Sequence, residues 1–202
     1  MGDEMTNLNQ QIINFDFEQN FKDQDFYVSK SNEYSFKLLN NWPKWEKNFV
    51  NLIGENFSGK SHLINIFLKN FKGIKISADK ITNDSLKEIK FYENVIVEDL
   101  LENIDENLLF TLINTIEQDN KYLIVTSTKP IVDFKFKLQD LNSRSKNFLL
   151  SAIEKPEDDL MYALILKNLS DRQISIDKKL IDFIIKRISR SYGKISHFIY
   201  KI

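Results

Sequence analysis

The residues best suited to chemistry lie in one short segment, Gly54-Glu55-Asn56-Phe57-Ser58-Gly59-Lys60-Ser61. It matches the pattern G-x-x-x-x-G-K-[ST], in which glycines let main-chain N–H groups turn inward around phosphate oxygens. In this pattern Lys60 reaches the β- and γ-phosphates as a point charge, and the Ser61 hydroxyl binds Mg²⁺. His62 follows directly and is counted with the cofactor-binding segment, where a helix residue packed behind the loop is favoured over a catalytic role. The segment therefore predicts a site for a nucleoside polyphosphate.

A second group of candidate residues ends a later apolar run, Val95-Ile96-Val97-Glu98-Asp99. Such a strand delivers acids to a nucleotide site, where one holds Mg²⁺ through water and the other polarises the attacking water. By position, Glu98 is the metal-side acid and Asp99 is the water-side acid. Aspartate usually comes first and glutamate second, so each arm here is misplaced by about one methylene. We therefore expect hydrolysis to be slow at most.

A third apolar run, at 122–127, ends in Ser127-Thr128-Lys129-Pro130. A hydroxyl at this point could contact the γ-phosphate or orient water, and Ser127 and Thr128 are the candidates. Capping of the strand end by the same hydroxyls explains the pattern equally well.

The elements that must position these residues alternate between strand and helix. Apolar runs predict strands at 48–53, 74–78, 94–99, 122–127 and 147–153. Helical spacing of apolar residues marks 59–71 and 105–118. This alternation predicts an α/β fold with a parallel sheet and helices on both faces. After Pro156 the pattern predicts three helices, at 157–169, 177–188 and 191–202, with no strand between them. We therefore divide the chain into an acidic arm (1–25), an α/β domain (26–155) and a small helical lid (156–202).

Composition excludes several classes of function. The 202 residues are 42% hydrophobic and 28% charged, which is ordinary for a globular protein. No apolar stretch is long enough to span a membrane, and we expect a cytoplasmic protein without a targeting signal. The absence of cysteine excludes disulfides and thiolate zinc sites. The net charge of −1 is not that of a nucleic-acid-binding polycation.

The motifs together resemble the AAA+ class of P-loop NTPases. Within it they are similar to the domain shared by the bacterial replication initiator DnaA and its shortened relative Hda, with the alphaproteobacterial Hda group most similar. The segments that carry the resemblance are Phe26–Asn32 with Leu38-Leu39 and Trp42-Pro43, Gly59–Leu63, Thr126–Pro130, Asp140–Arg144 and the lid from Pro156.

The resemblance implies an ADP- or ATP-binding protein that uses Mg²⁺. It implies that the leading segment lines the adenine pocket with Phe26, Tyr27, Val28 and Asn32. Arg144 would be an arginine finger that reaches the nucleotide of a neighbouring subunit. The alternative for Arg144 is a surface ion pair.

One position departs from the family pattern. The family places an arginine at the start of the last lid helix, and this chain has Gly193 there. Lys194 or Arg190 could substitute for it. Without that arginine, nucleotide state and lid position would be coupled only weakly.

The resemblance also implies partners. Gln10-Gln11-Ile12-Ile13-Asn14-Phe15 is similar to the peptide by which Hda-type proteins dock on the DNA polymerase sliding clamp, with Gln10, Ile13 and Phe15 as its anchors. The other partner is the initiator DnaA, whose ATP hydrolysis the protein would stimulate. Self-association stays open. Because the sequence ends at Ile202, there is no room for a helix-turn-helix domain, and we expect no sequence-specific DNA binding.

Two other functions remain open from the residues. The chain could be a DnaA-like initiation or helicase-loading factor that binds DNA weakly through its basic end, which includes Lys186, Arg187 and Lys194. It could also be a small P-loop kinase, although the helical end offers few arginines to cover phosphates.

Overall fold

A computed structural model describes residues 26–201, and a five-stranded parallel sheet forms its centre. The strands are β1 (Phe49–Ile53), β2 (Gly73–Ser77), β3 (Asn94–Leu100), β4 (Tyr122–Ser127) and β5 (Leu149–Ala152). Their order across the sheet is β2-β3-β4-β1-β5, and every neighbouring pair is parallel. The three central strands, β3, β4 and β1, are buried apolar runs because a parallel sheet is covered on both faces. The predicted α/β fold is confirmed.

Five helices accompany the sheet. They are α1 (Glu33–Asn40), α2 (Lys60–Asn70), α3 (Asn83–Glu88), α4 (Glu106–Gln118) and α5 (Gln139–Ser145). Of these, α2 and α4 were predicted from their apolar spacing. The sequence did not reveal α1, α3 and α5, which have between six and eight residues and are too short for a clear helical period.

The helices lie on both faces of the sheet, as predicted. On one face α1 and α2 pack against the sheet, burying Leu39, Leu63, Ile64 and Phe67 with Val50, Leu52, Ile96 and Ile124. On the other face α3, α4 and α5 contribute Leu86, Leu109, Leu112, Ile113 and Leu141, which pack with Val95, Val97 and Val125. Successive side chains of β3 and β4 point to opposite faces of the sheet and therefore pack into two separate apolar cores.

Three helices form the C-terminal part: α6 (Asp158–Asp171), α7 (Lys178–Ile185) and α8 (Tyr192–Lys201). They surround a core of their own, made of Met161, Ile165, Leu169, Ile181, Ile195 and Ile199. Between α6 and residue 201 the structure contains no strand, as predicted.

Two further observations bear on the predictions. Within residues 26–201 no helix has the length and apolar content needed to cross a bilayer. The acidic arm, with its peptide of Gln10, Ile13 and Phe15, lies outside the described residues.

Candidate functional site

The loop of residues 54–59 joins the end of β1 to the start of α2, and its two glycines are both required by its shape. A Cβ at Gly54 would lie 2.5 Å from Ser58 Oγ, and Gly59 has a φ of +92° at the start of α2. Phe57 also has a positive φ, +68°, although it is not a glycine. That conformation costs an L-residue about 1–2 kcal/mol. The loop therefore holds a wound shape despite local strain.

Lys60 occupies the interior of this loop. Its ammonium donates to the main-chain oxygens of Gly54 at 2.7 Å and Glu55 at 3.0 Å, and its side chain is buried. Burial lowers the pKa of Lys60, and the negative charges of Asp99, Glu55 and Glu98 partly offset this effect. The loop thus encloses a cation, which a phosphate oxygen can reach by replacing a carbonyl acceptor.

A cavity of about 570 Å³ opens beside the loop. One side, which we call the loop wall, consists of residues 56–62 and Asp99. The opposite side, which we call the lid wall, consists of Leu164, Asn168, Tyr192, Ile195, Ser196 and Ile199 from α6 and α8. The volume is within the usual range for small-molecule sites. Of the predicted residues, the cavity brings together Asn56, Phe57, Ser58, Gly59, Lys60, Ser61, His62 and Asp99.

The two predicted acids lie at different depths. Asp99 is on the loop wall with a φ of +56°, and its amide donates to Thr126 Oγ1 at 2.9 Å. Glu98 lies behind the wall, with Oε2 3.2 Å from Lys75 Nζ. The left-handed turn at Asp99 interrupts the strand alternation, so the two side chains do not simply alternate across the sheet. Their separate metal-side and water-side roles stay a prediction.

The donors present suit a magnesium ion held together with a nucleotide. Glu98 Oε1 is buried without a hydrogen-bond partner among the described residues, which is the kind of acceptor that a metal-bound water can satisfy. Ser61 and Asp99 add a hydroxyl and a carboxylate on the loop wall. Within residues 26–201 no cluster of three or more acids or histidines could hold a metal alone. Phosphate oxygens would have to complete the coordination.

The hydroxyls at the end of β4 are arranged differently from the prediction. Ser127 is buried, accepts from Asn51 Nδ2 at 2.8 Å, and donates to the Lys129 carbonyl at 2.7 Å. Thr128 is exposed and does not line the cavity. The hydroxyl that contacts Asp99 is that of Thr126, which accepts from the Asp99 amide and which the sequence placed only in an apolar strand. Ser127 thus serves the strand end, which was the alternative interpretation.

Asn51 supports this arrangement from the middle of β1. Its Nδ2 donates to the Val125 carbonyl at 3.0 Å as well as to Ser127, and its Oδ1 accepts from the Ile131 amide at 2.8 Å. Because Asn51 is fully buried, each of these bonds avoids a large desolvation cost. The network holds the end of β4 next to β1.

The leading segment lies against the loop without lining the cavity. Phe26 is buried, and a Cβ on Gly59 would lie 3.2 Å from its ring. Asn32 braces the segment, since Oδ1 accepts from the Ser29 amide at 2.8 Å and Nδ2 donates to the Tyr27 carbonyl at 2.9 Å. Val28 is half-buried against the core under α1 and α2. Of the four predicted adenine-pocket residues, none lines the 570 Å³ cavity.

A second cavity, of about 620 Å³, is lined in part by Tyr27. It lies between the leading segment and helices α6 and α7, and its lining includes Asp158, Asp159, Tyr162 and Lys178. None of the loop residues 54–61 contributes to it. Of these two cavities, the one of 570 Å³ contains Lys60 and the other loop residues that were predicted to bind phosphates.

Arg144 lines neither of these two cavities. It lies on α5, forms an ion pair with Glu117 of α4, and stands over the Phe110 ring at 5.4 Å. This agrees with the surface ion pair that was the alternative interpretation. A finger that acts on another subunit must also lie outside its own cavity, so the location is compatible with both interpretations.

A contact between the loop and the lid was not foreseen from the sequence. Glu55 accepts from the Tyr192 amide at 2.5 Å and from Ser191 Oγ at 2.9 Å, at the first turn of α8. The expected substitutes for the arginine missing at Gly193 are elsewhere. Arg190 forms a two-pronged bond with Asp158 at 3.0 Å, and Lys194 is exposed and does not line the cavity.

Comparison with known proteins supports the assignment of the fold. No family model matches the chain. The chain is 28% identical over 197 residues to the replication initiator DnaA of Helicobacter hepaticus, a match that covers 85% of this chain and 42% of that protein. The chain therefore spans about two fifths of the length of this curated relative.

Solved structures resemble the chain in the same region. DnaA of Aquifex aeolicus bound to AMPPCP superposes with a TM-score of 0.70 at 17% identity, over 85% of this chain and 61% of that one. Domain III of Thermotoga maritima DnaA gives a TM-score of 0.68 at 16% identity, over 88% and 85%. The fold is that of the AAA+ P-loop NTPases, and the domain is DnaA-like.

Proposed function

We propose that this DnaA-like domain binds ADP or ATP in the 570 Å³ cavity and regulates the initiation of chromosome replication. The observation that carries the first part is the enclosed ammonium of Lys60, held by main-chain oxygens of the glycine loop beside an open cavity. A lowered pKa caused by burial means that this cation gains from a negatively charged ligand. The AMPPCP-bound DnaA of Aquifex aeolicus, which shares the fold, supports an adenine nucleotide.

The residues have distinct roles in this proposal. Loop amides and the N-terminus of α2 bind phosphate oxygens, and Lys60 moves from its carbonyl acceptors to the outer phosphates. Ser61 and Glu98 hold Mg²⁺, which supplies charge neutralisation between the phosphates. Asp99 is the acid positioned to polarise water, because it is the one on the cavity surface.

Intrinsic hydrolysis should be slow for two structural reasons. Lys75 already pairs with Glu98 at 3.2 Å, which reduces the carboxylate charge available to the metal. The lid wall carries no arginine or lysine, so the charge that develops on the γ-phosphate lacks a second cation there. A regulator that acts on a partner fits these features better than a fast ATPase.

The regulatory role itself is a proposal about partners. Arg144 would leave Glu117 and enter the nucleotide site of the initiator DnaA, stimulating ATP hydrolysis there. Both sides of that ion pair are partly exposed, so its release costs little. The peptide with Gln10, Ile13 and Phe15 would tether the protein to the DNA polymerase sliding clamp. This is the role of an Hda-type inactivator of the initiator, and it leaves a homo-oligomer open.

The test of this role is the Arg144→Ala variant. It should bind ADP as the wild type does but lose stimulation of DnaA ATPase by about 1,000-fold or more, since arginine fingers contribute that much. Arg144→Lys should also fail, because a lysine lacks the planar guanidinium. Glu117→Gln is the matched control, which removes the ion pair and should retain stimulation. Full stimulation by Arg144→Ala would exclude the finger, and a Gln10→Ala pull-down would test the clamp separately.

One observation favours a second candidate, a DnaA-like initiation or helicase-loading factor that binds DNA weakly. Lys186, Arg187 and Lys194 are exposed on the lid, and Arg187 stands 3.4 Å from the Phe183 ring centroid. Replacing the three with glutamine should abolish a salt-sensitive DNA affinity if this candidate is correct. An affinity that does not change with salt or with the substitutions would exclude it.

A further inference from the structure

We propose that Glu55 is a positioning residue that fastens the lid to the phosphate loop, so that the lid position does not depend on whether ATP or ADP is bound. Its two carboxylate oxygens accept from two donors at the start of α8, the Tyr192 amide at 2.5 Å and Ser191 Oγ at 2.9 Å. The residues are 136 and 137 positions apart in sequence, and the contact joins the α/β part to the helical part.

The chemistry of the contact makes it strong. The first amides of a helix have no partner within the helix, and they carry the positive end of the helix dipole. A carboxylate that accepts from them forms a charge-assisted bond. Glu55 is half-buried, which limits competition by water.

A neighbouring contact holds the same turn of α8. The Tyr192 side chain is buried, and its hydroxyl lies 3.3 Å from Ser31 Oγ in the leading segment. The Ser31 carbonyl in turn accepts from the Glu154 amide at 2.8 Å. By contrast, the pair of Arg190 and Asp158 lies within the helical part and does not join it to the loop. The first turn of α8 is therefore anchored to the α/β part through Glu55, through Ser31 and through the Tyr192 ring, which packs in the apolar core under α1 and α2.

The lid position is independent of the bound nucleotide because the lid wall has no cation. The residues of α8 on that wall are Tyr192, Ile195, Ser196 and Ile199, none of which carries a cation that could grip a γ-phosphate. Glu55 contacts α8 through its side chain while its carbonyl accepts from Lys60 on the other side. Loop and lid are thus connected through protein groups, and a third phosphate would meet no cation on the lid wall.

This inference rests on the proposed nucleotide binding, and hydrogen exchange separates the two. In the wild type, the amides of residues 192–199 should exchange at rates that differ less than about twofold between the ADP and AMPPCP states. In Glu55→Ala the same amides should exchange about tenfold faster in the empty, ADP and AMPPCP states alike. Glu46→Ala is the control, since Glu46 is an exposed acid of the α/β part, and it should behave as the wild type.

A kinetic measurement distinguishes a positioning role from a general loss of stability. A fluorescent ADP analogue should dissociate about tenfold faster from Glu55→Ala, and Glu55→Gln should be intermediate because its amide oxygen keeps one acceptor without the charge. Unchanged α8 exchange in Glu55→Ala, or a wild-type exchange rate that changes tenfold between ADP and AMPPCP, would overturn the inference. If neither nucleotide binds, the proposed function fails, while the empty-state comparison still tests the contact.

Discussion

The two walls of the cavity differ in the kind of group that they offer a ligand. The loop wall carries an ammonium, a hydroxyl and a carboxylate, from Lys60, Ser61 and Asp99. The lid wall is mainly apolar and adds only the amide of Asn168 and the hydroxyl of Ser196, since the Tyr192 hydroxyl lies beside Ser31 Oγ. The phosphates of a nucleotide would therefore be bound from one side. Such a site can hold a nucleotide without assembling the cations needed for fast hydrolysis.

The same difference between the walls separates nucleotide binding from a response of the lid to the kind of nucleotide. The glycine loop contacts the lid through Glu55, and the lid wall carries no cation among the described residues. The lid would therefore cover a bound nucleotide without a cation that distinguishes ATP from ADP. A regulator whose output depends on a partner's site, as proposed for Arg144, can function with such a lid.

The largest expected effect tests the chemistry of the loop wall. Asp99→Asn should lower residual ATP hydrolysis by about 100-fold, because it removes the carboxylate that polarises water. Nucleotide affinity should change by less than about threefold, since the cation of Lys60 is kept. Glu102→Gln, which alters an exposed acid paired with Lys129, is the control. Phosphate release measured under single-turnover conditions gives the result, and an unchanged rate would show that Asp99 has no part in hydrolysis.

A smaller effect is expected when the missing cation is added to the lid. Gly193→Arg should raise the preference for AMPPCP over ADP by about tenfold, because an arginine at the start of α8 can reach the third phosphate. The position has room, since a Cβ there meets only Ser191 Oγ, at 3.6 Å. Gly193→Ala controls for the change in helix propensity. Competition binding with a fluorescent nucleotide measures the preference, and equal affinities in the arginine variant would mean that the two walls do not approach as described.

How far the sequence predicts this molecule depends on how local each signal is. The five strands and the long helices α2 and α4 follow from runs and spacings of apolar residues, and the glycine loop follows from one octapeptide. Buried polar residues inside strands, Asn51 and Thr126, left no such signal because one polar residue barely alters an apolar run. Their hydrogen bonds nevertheless position Ser127 and Asp99.

The remaining features depend on pairs that are distant in sequence or on unusual backbone geometry. No sequence pattern around Glu55 predicts that its carboxylate contacts α8. Likewise, the ion pair of Glu98 with Lys75 requires β2 and β3 to be neighbours, which the strand pattern alone does not tell. Asp99 lines the cavity and Glu98 does not, and Asp99 has a positive φ, which is uncommon for any residue other than glycine and cannot be read from the strand pattern.

The most direct test of the account is calorimetry with ADP and ATP in the presence of Mg²⁺. The wild type should release or absorb heat with both nucleotides. Lys60→Ala should bind them at least about 30-fold more weakly, because it removes charge-assisted bonds worth about 2 kcal/mol, and Lys69→Ala, an exposed lysine of the same helix, should bind as the wild type does. No heat with either nucleotide, or equal affinities for Lys60→Ala and the wild type, would contradict the central claim that the glycine loop binds a nucleotide through Lys60.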